Sequence, residues 1–513
     1  MDLDHHACYR ALELRDARFD GRFFAAVKTT GIYCRPVCPA RTPRSENVAF
    51  YSTAAAAQEA GFRPCLRCRP ETVPDTGAWR GTSSTVSRAL ALIELGALDE
   101  GRVDALADRL GIGERQLRRL CREHLGASPV AVAQTRRVLL AKQLIHETSL
   151  SMTEIAFAAG FGSIRRFNGT FRALFGRAPC TLRRASPRGT TDGSGAAVSL
   201  LLRYQPPYDW PGVLEFLRLR AIAGIERVEE NCYTRTIQLE GRQGVVSVRP
   251  AEGNALRASV RFPRLSALPA IIARLRRVFD LAADPLAISA HLAKDPALAP
   301  LVETRPGLRV PGAWDGFELA IRAVLGQQIT VVAAVRLAGC LVATHGERLA
   351  EPDRDLTHVF PRPEVLARAD LTTLGMPRSR AATLSAVAAA VVADPDLFCV
   401  SRGLDQAIER LSSIRGVGEW TAHYIALRQL REPDAFPAAD VGLVRALAHL
   451  EGRTWSSREL VGRAEPWRPW RAYAAQHLWA SAGLLRSSPM RSARPGAGVG
   501  PGIRRGGSNG TAR

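Results

Sequence analysis

The chain has 513 residues, 46% of them hydrophobic and 23% charged, with a formal net charge of +21. At roughly 100–200 residues per domain, this predicts several core-forming domains and excludes a collagen-like or wholly disordered chain. No stretch reaches the ~18 apolar residues of a spanning helix, and the start Met1-Asp-Leu-Asp-His-His is too acidic and polar for a secretory signal. A cytoplasmic location with no membrane partner is expected.

Residues 1–75 are organised around Cys34-Arg-Pro-Val-Cys38 and Cys65-Leu-Arg-Cys68, with 26 residues between the pairs. Pairs this close let two thiolates grip one face of a tetrahedral ion, and four soft sulfurs select zinc or an iron–sulfur cluster. A disulfide pair or four buried thiols are the competing readings. A reducing compartment weighs against the first and the paired spacing against the second. The surrounding sequence is more specific. Phe23 to Cys38, Glu46-Asn-Val-Ala-Phe-Tyr51 and Ala60-Gly-Phe-Arg-Pro-Cys65 closely resemble the amino-terminal domain of the Ada methylation-response family. The resemblance implies one Zn²⁺ held by Cys34, Cys38, Cys65 and Cys68. It also implies that Cys34 is a nucleophile that takes a methyl group irreversibly from a DNA methylphosphotriester.

After a weak break at 73–81, residues 84–185 read as helices. Residues 76–185 carry 17 basic against nine acidic residues, a net +8 that suggests a polyanion partner. Two stretches repeat. Ala105-Leu-Ala-Asp-Arg-Leu-Gly111 with Leu117–Cys121 and Gly126-Ala-Ser-Pro129 matches Glu154–Gly160 with Phe167–Phe171 and Gly176-Arg-Ala-Pro179. Each copy has a helix, a glycine turn and a second helix bearing arginines, the pattern of a helix-turn-helix. A plain helical bundle with solvated arginines is the alternative; duplication and charge weigh against it. Joined by a helix near Val130–His146, the two copies resemble the AraC family of activators. That implies reading helices at about Glu114–His124 and Ile164–Leu174. Arg115, Arg118, Arg119, Arg165 and Arg166 become candidates for DNA contact, with promoter DNA and RNA polymerase as partners.

Residues 186–196 lack apolar side chains apart from one alanine and read as a flexible linker; 489–513 read as a disordered tail. Each half thus has its own hydrophobic pattern. Between 197 and 265, short runs alternate apolar and polar residues (Ser199–Tyr204, Gly244–Arg249, Arg257–Phe262), as strands do. From 266 to 485 the periodicity is helical. Within it, Leu411-Ser-Ser-Ile-Arg-Gly416-Val-Gly418-Glu-Trp420 reads as helix, tight hairpin, helix: Gly416 and Gly418 allow close approach to a DNA phosphate. Some twenty residues on comes Phe436-Pro-Ala-Ala-Asp440. Together these match the helix-hairpin-helix superfamily of base-excision glycosylases.

Tyr204-Gln-Pro-Pro-Tyr-Asp-Trp210, Arg305–Gly312, Ala323-Val-Leu-Gly-Gln327, Leu374–Pro377 and Trp467-Arg-Pro-Trp470 extend the resemblance to the AlkA family of 3-methyladenine glycosylases over 199–482. It implies that Asp440 stabilises the sugar cation formed as the glycosidic bond breaks, alongside its simpler role as cap of the helix 441–450. It places Trp420, Tyr424 and Trp479 around a flipped base, with core packing as their plainer alternative. Gln328 stands where that family has an apolar leucine that fills the gap left in the duplex. Glycosylases that also cut the strand use a hairpin lysine. Here Trp420 holds that position and no lysine follows Lys294, which points to a monofunctional enzyme. No cysteine cluster follows residue 400, so no iron–sulfur centre is expected.

The predicted protein is therefore multidomain and mainly α with α+β parts: a small four-cysteine zinc domain (1–75), a duplicated helix-turn-helix (84–185), a linker (186–196), an α+β AlkA-like subdomain (197–308) and an all-α helix-hairpin-helix glycosylase domain (309–488). The predicted function is a methylation-responsive activator and alkylbase glycosylase on one chain, associated with the nucleoid. The alternative is a transcription factor whose glycosylase half is a catalytically dead DNA clamp.

Overall fold

A computed structural model describes residues 4–73, 85–99, 101–183, 197–399 and 403–487. The linker at 186–196 and the tail from 489 lie outside the described residues.

The zinc domain begins with helix α1 (His5–Glu13), whose first-turn N–H groups of His6 and Ala7 are capped by Asp4. A four-stranded sheet follows: β1 (Phe24–Val27), β2 (Ile32–Cys34), β3 (Val48–Tyr51) and β4 (Arg63–Pro64), in the order β3-β1-β2-β4. Gly31, at φ +63°, helps close the β1–β2 turn that delivers Cys34 to the strand end. Helix α2 (Ala54–Glu59), capped by Thr53, covers the sheet through buried alanines.

Helices α3 (Thr85–Glu94), α4 (Val103–Leu110) and α5 (Glu114–Leu125) form the first helix-turn-helix unit around Leu92, Leu106, Leu117 and Cys121. The long α6 (Pro129–Glu147), started by Ser128 and a proline in its first turn, leads to α7 (Met152–Ala158) and α8 (Ile164–Phe175). Both second helices end on glycines with left-handed backbone, Gly126 and Gly176. The reading helices run one residue past their predicted ends.

Helix α6 also anchors the zinc domain. The Lys142 ammonium is fully buried and donates to the Cys65 carbonyl (2.8 Å) and the Glu71 carboxylate (2.7 Å). Thr53 donates to the Leu125 carbonyl at the end of α5 (2.7 Å), and Glu59 accepts from Ser128.

Beyond the linker, β5 (Val198–Arg203), helix α9 (Trp210–Arg218), β6 (Glu226–Glu229), β7 (Cys232–Leu239), β8 (Arg242–Ala251) and β9 (Ala255–Arg261) build an antiparallel sheet in the order β5-β9-β8-β7-β6. Alternate residues face inward, among them Leu200, Leu202, Val246, Val248, Leu256 and Ala258. They pack with α9 and α10 (Leu268–Val278). The same core continues into Val138, Leu144, Ile155, Phe167 and Phe171 of the second helix-turn-helix unit. The apolar patterns of the two halves thus merge in three dimensions, whereas along the chain they are separated by the linker.

The remaining helices are α11 (Pro285–Leu292), α12 (Ala299–Thr304), α13 (Gly316–Leu325), α14 (Val331–His345), α15 (Pro363–Leu366), α16 (Arg378–Ala393), α17 (Leu404–Ser412), α18 (Glu419–Ile425), α19 (Val441–Glu451), α20 (Ser457–Arg463) and α21 (Arg471–Ser487). Almost every residue of α13 is buried, which makes it the central helix of this domain. Its Glu318 and Arg322 join Arg235 and Glu226 of the sheet in an ion-pair network at 2.6–2.7 Å. One element departs from the helical pattern: β10 (Glu347–Asp353) and β11 (Leu356–Val359) form a hairpin. Leu349, Leu356 and Val359 bury against Val245 of β8, so this hairpin clips the helical domain to the sheet.

Candidate functional sites on zinc, DNA and base

The four cysteines of the zinc domain come together: their sulfurs all lie within 4.8 Å of one another. A zinc ion ~2.3 Å from each of four sulfurs needs sulfur–sulfur separations of about 3.8 Å, so the cage fits one Zn²⁺. The sulfurs are not equivalent. Cys38, Cys65 and Cys68 are buried, while Cys34 is partly exposed. The Cys65 sulfur accepts the Arg67 N–H and the Cys68 sulfur the Arg35 N–H, both at 3.3 Å. Among the described residues, the Cys34 sulfur meets only the other three sulfurs. The Arg35 guanidinium turns inward, to Asp20, the Cys68 carbonyl (3.1 Å) and Thr72 (2.7 Å). It braces the cage and does not project toward a partner.

On the reading helices, Arg115, Arg119, Arg165 and Arg166 are exposed and Arg118 is partly so. Arg118 pairs with Glu114 (2.6 Å) and Arg119 with Glu123 (3.4 Å), both one helical turn away. These surface pairs are weak, on the order of 0.3–0.5 kcal/mol, and do not tie the arginines down.

In the helical domain, α17, the Gly416-Val-Gly418 turn and α18 form the hairpin. Gly416 has φ +85°, and a Cβ there would collide with Thr383 of α16. Gln327 Nε2 donates to the Gly416 carbonyl and to Thr421 Oγ1, both at 3.1 Å, and its own carbonyl accepts from Arg380 (2.6 Å). This fixes the loop in which Gln328 stands exposed with left-handed backbone, φ +58°.

Asp440 caps α19 by accepting the Leu443 N–H at 3.0 Å. The same carboxylate accepts the indole N–H groups of Trp420 (2.8 Å) and Trp479 (3.0 Å). The helix that follows the hairpin and the last helix therefore both orient the acid. Trp420 and Tyr424 stack at 5.3 Å, and Trp479 meets Tyr424 edge-on at 6.2 Å. His423 Nδ1 accepts the Phe436 N–H (3.3 Å), tying α18 to the loop that ends at Asp440.

Two members of this cluster escape sequence reasoning. The buried Arg428 guanidinium sits 5.1 Å from the Tyr424 ring, 5.4 Å from Trp479 and 4.3 Å from Phe216 of α9. Burial pulls its pKa down to about 10. Burial also pushes the Tyr424 hydroxyl up, but Arg428 and Arg220 outweigh it and hold that group below its ordinary value. The only hint in the sequence is that Arg428 lies one turn beyond Tyr424, and that α9 follows the Tyr204–Trp210 motif.

Four family profiles match successive parts of the chain. They are the metal binding domain of Ada (residues 7–71), a helix-turn-helix domain (106–185), the AlkA N-terminal domain (199–315) and the HhH-GPD superfamily of base excision DNA repair proteins (321–471). A probable bifunctional transcriptional activator/DNA repair enzyme AlkA from Mycobacterium tuberculosis is 44% identical over 483 residues, covering 93% of this chain and 97% of that one. The chain belongs to this bifunctional AlkA family. DNA-3-methyladenine glycosylase 2 of Escherichia coli is 33% identical over 289 residues, 55% of this chain and 97% of that protein. A 3-methyladenine DNA glycosylase from Archaeoglobus fulgidus shares the fold, with TM-score 0.50 and 23% identity, over 56% of this chain and 99% of that one. No helix among the described residues is long and apolar enough to cross a membrane.

Proposed function

We propose that this chain is a methylation-responsive transcriptional activator and a DNA-3-methyladenine glycosylase, with the domain limits given above and working in the cytoplasm on the nucleoid. Its partners are alkylated DNA, promoter DNA and RNA polymerase. The observation that carries the glycosylase reading is the Asp440 carboxylate, held by three N–H donors beside an aromatic cluster and a helix-hairpin-helix.

A base methylated on a ring nitrogen is already a good leaving group. The glycosidic bond breaks with its electron pair leaving on the base, and positive charge grows on the sugar. Asp440, fixed in place, stabilises that charge without reorganising. Trp420, Tyr424 and Trp479 line the space for the flipped base, Gly416 and Gly418 receive a phosphate, and Gln328 fills the gap in the duplex. With no lysine in this region, the enzyme releases the base and leaves the strand intact.

In the zinc domain, Cys34 is the methyl acceptor. Zinc, when bound, keeps the four thiols deprotonated at neutral pH. The Cys34 sulfur attacks the methyl carbon of a methylphosphotriester. A C–S bond forms, the C–O bond breaks, and the phosphodiester leaves as an anion. The thioether is not converted back to a thiolate, so this step occurs once per molecule. It lowers the negative charge of the cage by one, so the cage repels DNA phosphate less, promoter binding tightens and the activator is switched on.

The test of the first activity is release of free 3-methyladenine from alkylated DNA. D440N should lower that release by about 10²–10³-fold or more while binding to an abasic-site analogue survives. Near-normal turnover in D440N would remove Asp440 from the reaction.

A further inference from the structure

The outward face of the five-stranded sheet carries charge that no described group cancels. Across β5, β9 and β8, Leu201, Arg257 and Arg249 stand in one lateral row, with Arg249 and Arg257 directly opposite each other. Arg249 is exposed and Arg257 partly exposed, and neither forms an ion pair or side-chain hydrogen bond among the described residues. Like charges in directly opposed positions destabilise a sheet unless an anion comes between them. Elsewhere the same face is neutralised: Asp353 and Asp355 of the β10–β11 hairpin pair with Arg227 and Arg261. Charge is thus cancelled where the hairpin covers the face and left standing where the face is open. A shallow cavity of about 730 Å³ lies there, lined by Arg203, Arg249, Arg257, Leu201 and Glu252, the last its single acid.

This open region adjoins the zinc domain. Gln205, just past β5, donates to the Asp20 carbonyl at 3.2 Å. Burial, together with the Arg35 and Arg69 guanidiniums, holds the Arg203 pKa below its ordinary value, although Glu147 pulls it the other way. The sheet edge is also fixed in place by α6, where Gln143 donates to the Leu201 carbonyl (2.9 Å) and Glu147 accepts the Leu201 N–H (3.1 Å). Arg35 and Arg69 of the zinc domain thus lie within electrostatic reach of Arg203, which lines the same cavity as Arg249 and Arg257.

We propose that Arg249 and Arg257 form a separate binding surface for the DNA phosphate backbone, which extends the DNA path of the zinc domain across the sheet. The partner is a phosphodiester backbone because guanidinium forks match phosphate oxygens in pairs. The inference rests on the reading of this chain as a DNA-binding protein.

The experiment is the salt dependence of binding of the full chain to an unmodified duplex of about 40 base pairs. Replacing both arginines by glutamine (R249Q/R257Q) should flatten the plot of log Kd against log salt by roughly 2 units, about 0.9 per lost phosphate contact. R249K/R257K should keep the wild-type slope. Base release at saturating substrate should be unchanged in both, and neither variant should unfold at a lower temperature than the wild type. A wild-type slope in R249Q/R257Q would overturn the proposal. Absence of salt-dependent binding in the wild-type chain would instead overturn the DNA reading, and this proposal with it.

Discussion

Cys34 and Asp440 make opposite demands on their surroundings, and the fold meets both. Cys65 and Cys68 accept backbone N–H bonds, while Cys34 is left to its fellow sulfurs and partly exposed. A sulfur that must attack carbon needs an uncommitted lone pair. Asp440 forms no bond in its proposed role; it must present charge in one orientation, and three donors fix it. The contrast teaches that reactivity is set here as much by which donors are withheld as by which are supplied.

The comparison can be broken in three places. The largest effect is expected at the anchor of the zinc domain. Lys142 and Glu71 are both buried, so K142M leaves the carboxylate with Arg69 as its one ion-pair partner among the described residues and should cost about 3 kcal/mol, the low end for breaking a buried pair, read as a drop in thermal midpoint. E71Q/K142M should recover most of that loss. An unchanged midpoint in K142M would mean that Lys142 does not hold the zinc domain on α6.

The second break is by acid. His477, buried on the helix that carries Trp479, has its pKa pulled down to about 4, first by burial and then by Arg305. Its unfolded value is about 6.5, so the unfolded state takes up the proton first as pH falls. Stability from this group is full above pH ~6.5 and is lost progressively down to pH ~4, by about 3 kcal/mol. Unfolding followed by tryptophan fluorescence should show that slope, and H477Q should flatten it; the same slope in H477Q would assign it to another group. The third break is subtler. W420F or W479F removes one N–H bond to a carboxylate, worth about 1.5–3 kcal/mol. Each should slow base release by roughly 10- to 100-fold and leave methyl uptake by the zinc domain untouched. Full activity in W420F would show that its indole N–H does not matter to Asp440.

How much of this could be read from the sequence follows the distance over which each feature is built. Paired cysteines, the repeated helix-glycine-helix pattern and the Gly416-Val-Gly418 turn are local, and each appears in the structure where its spacing places it. The bonds from Trp420 and Trp479 to Asp440 join residues 20 and 39 apart, and nothing in either helix announces them. Arg428 reads as one more arginine in a chain with 67 of them. Lys142 is different: it is one of three lysines, and its compact ammonium is buried between a carbonyl and a carboxylate. That rarity is a signal, but its meaning needs the fold. The β10–β11 hairpin is a similar case, since its strand character comes from burial against β8.

The central claim is that two separate reactions share one chain, each resting on a single group. The most direct measurement offers the full chain DNA that carries both methylphosphotriesters and 3-methyladenine. Methyl on Cys34 is read by mass spectrometry, and free base by chromatography. C34S should release base at the wild-type rate and take up no methyl, while D440N should take up methyl normally and release almost no base. If either variant loses both activities, or if methyl appears on another cysteine in C34S, the account is contradicted.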